Sequence, residues 1–159
     1  MILTEISEFL AALPPGRAIC GLDLGDKTIG IAVSDLRRSV ATPIHTVRRV
    51  KFTTDAAELL AVLTERNVAG IILGLPLNMD GSPGPRVQST QAFARNLVKL
   101  TDLPITFWDE RLSTVAAERA LLEGDTSRKR RREVIDQIAA SYILQGVLDR
   151  LGYMSKTNG

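Results

Sequence analysis

Residues 18–35, AICGLDLGDKTIGIAVSD, carry the pattern on which the fold turns. Residues 18–24 are apolar or glycine except for one aspartate, Asp23, and read as a buried strand. Asp26 and Lys27 make a turn, and residues 28–34 (TIGIAVS) read as the strand that returns. A third strand over 41–47 would complete a meander, with Pro43 asking for an edge position or a bulge. Beyond it the period changes. Asp55 with Glu58 resembles a capping box, opening a helix through Arg66 that places Ala56, Leu59, Leu60 and Leu63 on one face.

Further on, residues 68–73 (VAGIIL) read as a short buried strand, followed by a turn-rich loop over 74–85 (GLPLNMDGSPGP). A helix is expected over 86–100. A fifth strand over 103–108 ends in Asp109, Glu110 and Arg111. Ser113 or Thr114 would cap a helix to Glu123, then a basic loop leads into a last helix over 133–151. Upstream, Thr4 could cap a short helix bearing Ile6, Phe9, Leu10 and Leu13, stopped by Pro14, Pro15 and Gly16. A three-strand meander followed by alternating helices and strands implies an α/β fold: a five-stranded mixed sheet with helices on both faces. Residues 1–17 form a helical extension, 18–151 one domain, and 152–159 a flexible tail.

Length and composition narrow the class. The 159 residues suit one domain, and 45% apolar with 24% charged residues is an ordinary globular balance. Four Phe, two Tyr and one Trp leave the core to Ile, Leu, Val and Ala. The single cysteine, Cys20, excludes a disulfide framework and fits a reducing compartment. No apolar stretch nears the roughly 20 residues of a membrane span, and residues 1–13 lack the basic start of a signal peptide. A cytoplasmic protein without membrane attachment is expected. The net charge of +2 is unremarkable, but its distribution is not. Arg128, Lys129, Arg130, Arg131 and Arg132 are consecutive, and Arg37, Arg38, Arg48, Arg49 and Lys51 form a second cluster. Such runs are either solvated loops or contacts to a polyanion.

The acidic residues carry the chemistry. Asp23 stands among Ile19, Cys20, Leu22 and Leu24, where a charge must be desolvated at a high cost unless it is compensated. It could bond to the nearby turn, or ligate a metal from the strand. Asp109 and Glu110 end a strand of the parallel part, where ligands gather. Successive strand residues face opposite ways, so one of the pair points into any given site. We expect Glu110 to be that one, with Asp109 bonding locally near Arg111. Asp136 falls in the first turn of the expected last helix, where the helix dipole favours a carboxylate, at the edge of a stripe formed by Ile135, Ile138, Ala139, Tyr142 and Ile143. One Cys and one His cannot make a zinc centre, so these oxygen ligands suit Mg²⁺ or Mn²⁺. His45 reads as an ordinary strand or surface residue.

The segments AICGLDLGDKTIGIAVSD, GIILGLPLNMDGSPGP, DERLST and VIDQIAASYILQGVLD together resemble the YqgF (RuvX) family of Holliday-junction-resolvase-like nucleases, from Ala18 to Leu151. The resemblance implies an RNase H-like fold and a metal-dependent nuclease that processes the 5′ end of precursor 16S rRNA in ribosome biogenesis. Its alternatives are a resolvase of branched DNA and a non-catalytic RNA-binding ribosome-assembly factor. Carried over by position, the catalytic acids are Asp23, Asp109, Glu110 and Asp136, with Asp23, Glu110 and Asp136 as metal ligands. Clustered carboxylates repel one another, so the site without metal should be looser. Lys27, Thr28, Asn78, Arg111 and the run Arg128, Lys129, Arg130, Arg131 and Arg132 are candidate contacts to nucleic acid. The amides of residues 78–84 could form an anion nest. A monomer or weak homodimer is expected. The first strand and turn also look like the phosphate loop of sugar kinases and actin-like ATPases, but those need two such domains.

Overall fold

The computed structural model describes residues 1–112 and 128–158, with backbone alone for 128–134 and 155–158. Strands β2 (Ala18–Leu24) and β3 (Thr28–Ser34) are buried along their whole length and pair antiparallel, with Leu22 opposite Ile31 and Asp23 opposite Gly30. Gly25 and Thr28 close the turn between them, N–H to carbonyl at 2.8 Å. Strand β4 (Ala41–Arg48) pairs antiparallel with β3 on the outside. Its register shifts between Ile31 and Ala32, which pairs with Pro43. Proline thus sits on an edge strand beside a bulge, where its missing N–H removes no interior ladder bond.

After helix α2 (Phe52–Glu65) comes β5 (Val68–Leu75), parallel to β2. Helix α3 (Pro85–Leu97) then leads to β6 (Ile105–Asp109), parallel to β5. A two-residue strand β1 (Ile2–Leu3) extends the sheet beyond β6, giving the order β1-β6-β5-β2-β3-β4. The sheet therefore has six strands where five were expected. Two residues are too short to show an alternating pattern, so β1 leaves no trace in the sequence.

Both faces of the sheet are covered. Cys20, Leu22 and Leu24 point to one side, against Ala56, Leu59 and Leu63 of α2 and Phe93, Ala94 and Leu97 of α3. Ile19 points to the other, where the layer is built by α1 (Ile6–Ala11) and the long helix α4 (Arg128–Asn158). Phe9, Ile143, Leu144 and Val147 are fully buried there. Full burial contributes about 1.5–3 kcal/mol for a side chain of this size. Among the described residues no helix is long and apolar enough to cross a membrane.

Three helix starts differ from the sequence reading. Helix α1 is preceded by Glu5 without a side-chain cap, so Thr4 does not cap it. Helix α2 begins at Phe52, and Asp55 reaches back to the amide of Val50 at 3.1 Å, one half of the expected box displaced by a turn. Helix α4 already includes Arg128, so the basic run lies within the helix instead of preceding it. Lys and Arg are good helix formers, and no Gly or Pro separates them from Glu133. The chain is helical to Asn158, beyond the expected end at Leu151. The helix expected between residues 113 and 123 lies outside the described residues.

Candidate active site

Asp23 is the next-to-last residue of β2, on the face covered by α4, and is only 1% exposed. On one side it pairs with Gly30 of β3. On the other it lies one residue beyond the Leu22–Leu73 pair, beside Gly74 of β5. Neighbouring strands are about 4.8 Å apart, so the two glycines flank the carboxylate at close range. At Gly30 backbone leaves no room for a larger side chain, and at Gly74 one would have to displace the side-chain ends of Ile143 and Glu110. A Cβ on Gly30 would stand 1.9 Å from the carbonyl oxygen of Asp136, and one on Gly74 would stand 2.7 Å from Oε1 of Glu110. The absence of these two methyl groups lets α4 and the end of β6 come down on either side of Asp23. Asp23, Glu110 and Asp136, far apart in sequence, share one end of one face of the sheet.

The pleat separates Asp109 from Glu110. Gly74 pairs with Trp108 and Leu75 with Asp109, so Trp108 shares the face of Asp23 and Asp109 is turned from it. Arg111 holds Asp109, with Nη2 to Oδ2 at 2.6 Å, Nε to Oδ1 at 3.0 Å and its own amide to Oδ1 at 2.9 Å. These hydrogen bonds keep the Asp109 carboxyl below the usual carboxylate range. Asp136 lies more than two turns beyond Arg128 in α4, not in the first turn, because the basic run is already helical. The dipole at the helix start therefore gives no account of it. Thr28, buried at the start of β3, donates its hydroxyl to Oδ2 of Asp136. The same oxygen lies 3.1 Å from where a Cβ on Gly25 would be. Among the described residues no three of His, Cys, Asp or Glu close into a metal cluster as they stand.

The other expected contacts are distributed as follows. Asn78 donates its amide to Ser82, Gly81 to Asn78 and Ser82 to the Asp80 side chain, at 3.0, 2.8 and 2.9 Å. Those three amides close the loop on itself and do not form the anticipated nest. Arg111, expected to touch nucleic acid, ties Asp109 to this loop through Nη1 and the Met79 carbonyl at 3.3 Å. Lys27 and Thr28 line a cleft of about 280 Å³ next to Asp136, together with Gly25, Asp26 and Arg86. The side chains of Arg128, Lys129, Arg130, Arg131 and Arg132 lie outside the described residues. His45 meets Glu58 at 2.9 Å on an exposed surface.

A family model described as RuvX, Holliday junction resolvase, matches residues 17–150. The chain belongs to the RuvX family. Membership places it among enzymes that hydrolyse phosphodiesters. A protein of Ruegeria pomeroyi provisionally named pre-16S rRNA nuclease is 70% identical over 95% of this chain and 98% of its own length. One of Rhodobacter capsulatus with the same provisional name is 63% identical over all of both chains. Among solved structures, RuvC of Thermus thermophilus matches with a TM-score of 0.51 and 14% identity, over 86% of this chain and 97% of that one. At that identity the likeness speaks for the fold, which is RNase H-like.

Two residues of this candidate site carry no individual signal in the sequence. Arg86 follows Pro85 in the first turn of α3 and opens onto the cleft beside Asp136. Its only signal was position, directly after a turn-rich loop. Arg49 clamps the turn after β2, with Nη1 to the Gly25 carbonyl at 2.6 Å and its amide to the Lys27 carbonyl at 2.8 Å. In the sequence it was one cation of a cluster. Arg38 of the same cluster also holds backbone, donating to the carbonyls of Arg17 and Pro14 at 3.0 and 2.6 Å.

Proposed function

We propose that this chain is a metal-dependent nuclease that processes the 5′ end of precursor 16S rRNA in the cytoplasm. The observation that carries the reading is the placement of Asp23, buried between two glycines that admit Glu110 on one side and Asp136 on the other. Burying one carboxylate beside two more is unfavourable for the apo fold, and a cation relieves it. The donors are all hard oxygens, which fits Mg²⁺ or Mn²⁺, and Asp23, Glu110 and Asp136 are the residues that would hold it. When bound, such an ion supplies the acidity that activates water and offsets charge on the departing oxygen.

The protein's own part is positioning. Asp23 is fixed by the sheet, Glu110 by the end of β6, and Asp136 by the hydroxyl of Thr28. Water adds to phosphorus as the bond to the 3′ oxygen breaks, leaving a 5′ phosphate and a 3′ hydroxyl. The five cations at the start of α4 would take backbone phosphates, which position the substrate without specifying sequence. The precursor rRNA assignment follows the relatives' names. The family's description favours a second reading, cleavage of a four-way DNA junction. That activity calls for a symmetric dimer cutting two strands, whereas a monomer or weak homodimer suffices for the RNA.

The test is cleavage of a precursor 16S rRNA fragment and a four-way DNA junction, with Mg²⁺ or Mn²⁺, by the wild type and Asp23→Asn, with the oligomeric state measured alongside. The expected result is metal-dependent cutting of the RNA that Asp23→Asn abolishes while folding and RNA binding persist. Cutting of the junction alone would favour the second reading. RNA binding without turnover would make the chain a non-catalytic assembly factor. Full activity in Asp23→Asn would overturn the active site itself.

A further inference from the structure

The cleft beside Asp136 belongs to three separate segments: the turn after β2 with the first residue of β3 gives Gly25, Asp26, Lys27 and Thr28, α3 gives Arg86, and α4 gives Asp136. At about 280 Å³ it lies just under the ~300–1,000 Å³ of small-ligand clefts. It takes a phosphate with its sugar, not a duplex. One wall is a residue of the carboxylate constellation. An anion arriving there faces repulsion of about 4 kcal/mol per charge at 4 Å, for an effective dielectric near 20. A cation must therefore stand close to the carboxylates for a phosphodiester to approach.

Few described cations are placed to do this. Arg111 is engaged by Asp109, and the Arg49 guanidinium donates to the Gly25 carbonyl. Lys27 and Arg86 line the cleft itself, with Asp26 as the acid besides Asp136. Arg86 makes one long contact, Nη2 to the Leu24 carbonyl at 3.4 Å, which orients the guanidinium over the turn. Its remaining donors form a planar fork, the arrangement suited to a phosphate held by two oxygens.

We propose that this cleft is a phosphate subsite and that Arg86 is its main contact, gripping the substrate phosphate next to the one that is cut. Lys27 adds a mobile point charge at the rim. The proposal rests on the nuclease reading above and names a residue and a place on the substrate that the carboxylates alone do not.

The experiment is binding of a fluorescent single-stranded RNA from the precursor 5′ region in EDTA, titrated against KCl. It compares the wild type, Arg86→Ala and Arg86→Lys, each with its melting temperature. Loss of one phosphate contact should lower the slope of log affinity against log salt by about 0.7. Affinity should fall roughly tenfold or more in Arg86→Ala, as expected for a hydrogen bond to a charged group. Arg86→Lys should keep the slope but recover only part of the affinity, because a point charge cannot hold two oxygens at once. If Arg86→Ala does not fold, Arg86→Gln takes its place. A wild-type slope in a folded Arg86→Ala or Arg86→Gln protein overturns the subsite and leaves the nuclease reading standing. A wild type that binds no RNA, with Ca²⁺ as well as in EDTA, overturns both the subsite and the RNA reading.

Discussion

Asp109 and Glu110 are adjacent in sequence, yet only Glu110 comes within reach of the groove beside Asp23. The pleat turns Asp109 away, and Arg111 occupies it through three of the described hydrogen bonds. Glu110 instead places Oε1 over Gly74. The two acids should therefore respond differently to the same substitution. Glu110→Gln is expected to reduce cleavage by orders of magnitude with little effect on stability. Asp109→Asn should leave most of the cleavage rate, while weakening a partly exposed pair worth at most about 1 kcal/mol. Single-turnover rates and urea midpoints on both variants decide the matter. A larger rate loss in Asp109→Asn at equal stability would reverse the roles.

At the scale of elements, the site depends on how closely α4 lies on β3. Gly30 has no room for a methyl group, since a Cβ there would overlap the backbone of Asp136. Gly30→Ala must push α4 away at the point where it carries its carboxylate. Overpacking of this kind costs about 1–3 kcal/mol, and Asp136 moves with the helix. We expect a lower urea midpoint and a collapse of the cleavage rate at denaturant concentrations where the variant is still folded. Normal cleavage by Gly30→Ala would show that the position of Asp136 does not matter.

The link between β3 and β4 has a different weakness. Asp35 accepts hydrogen bonds from the amides of Ser39 and Val40, and these hold its pKa down at about 2. A carboxyl depressed on folding contributes stability that is fully present above its ordinary value of 3.8 and is lost as pH falls through about 2. Melting temperatures of wild type and Asp35→Asn should differ at neutral pH and converge between about pH 4 and pH 2. A gap that stays constant over that range would rule out this role for Asp35.

These elements also show where sequence reading succeeds and where it stops. The β2–β3 hairpin was legible because both strands are buried on two faces and separated by a turn. The start of α4 was not. Five cations look like a solvated loop, and nothing in their charge says that the helix has already begun, so Asp136 was placed two turns too early in it. The acids themselves were visible as charges in apolar surroundings. The glycines that bring them together were not, because a glycine's partner across the fold is absent from local sequence. Arg86 was missed for the same reason: only the folded chain sets it beside Asp136.

Over the whole molecule, the face beneath α4 divides along the strand axis. The carboxylates gather at the end of β5 marked by Gly74, while Gly70, four residues back and about 13 Å along the strand, lies under α1. A Cβ on Gly70 would stand 2.6 Å from Cζ of Phe9, so that ring rests directly on the strand backbone. Phe9 is fully buried and packs in the same cluster as Ile72, Ile143 and Val147. The segment before β2 is therefore part of the core, whereas its sequence suggested an appended helix. Phe9→Ala should cost about 3–5 kcal/mol, a large share of the 5–15 kcal/mol that holds an ordinary domain. The cavity would open at the end of the sheet away from Asp23, and β5 and α4 would still carry Gly74 and Asp136 to it. The expected outcome is a much lower urea midpoint together with a near wild-type cleavage rate per folded molecule, measured well below the unfolding transition. A rate that falls in step with stability, while circular dichroism shows the protein fully folded, would mean that the two ends of the sheet are coupled and that α4 shifts as one rigid rod when its far end loses support.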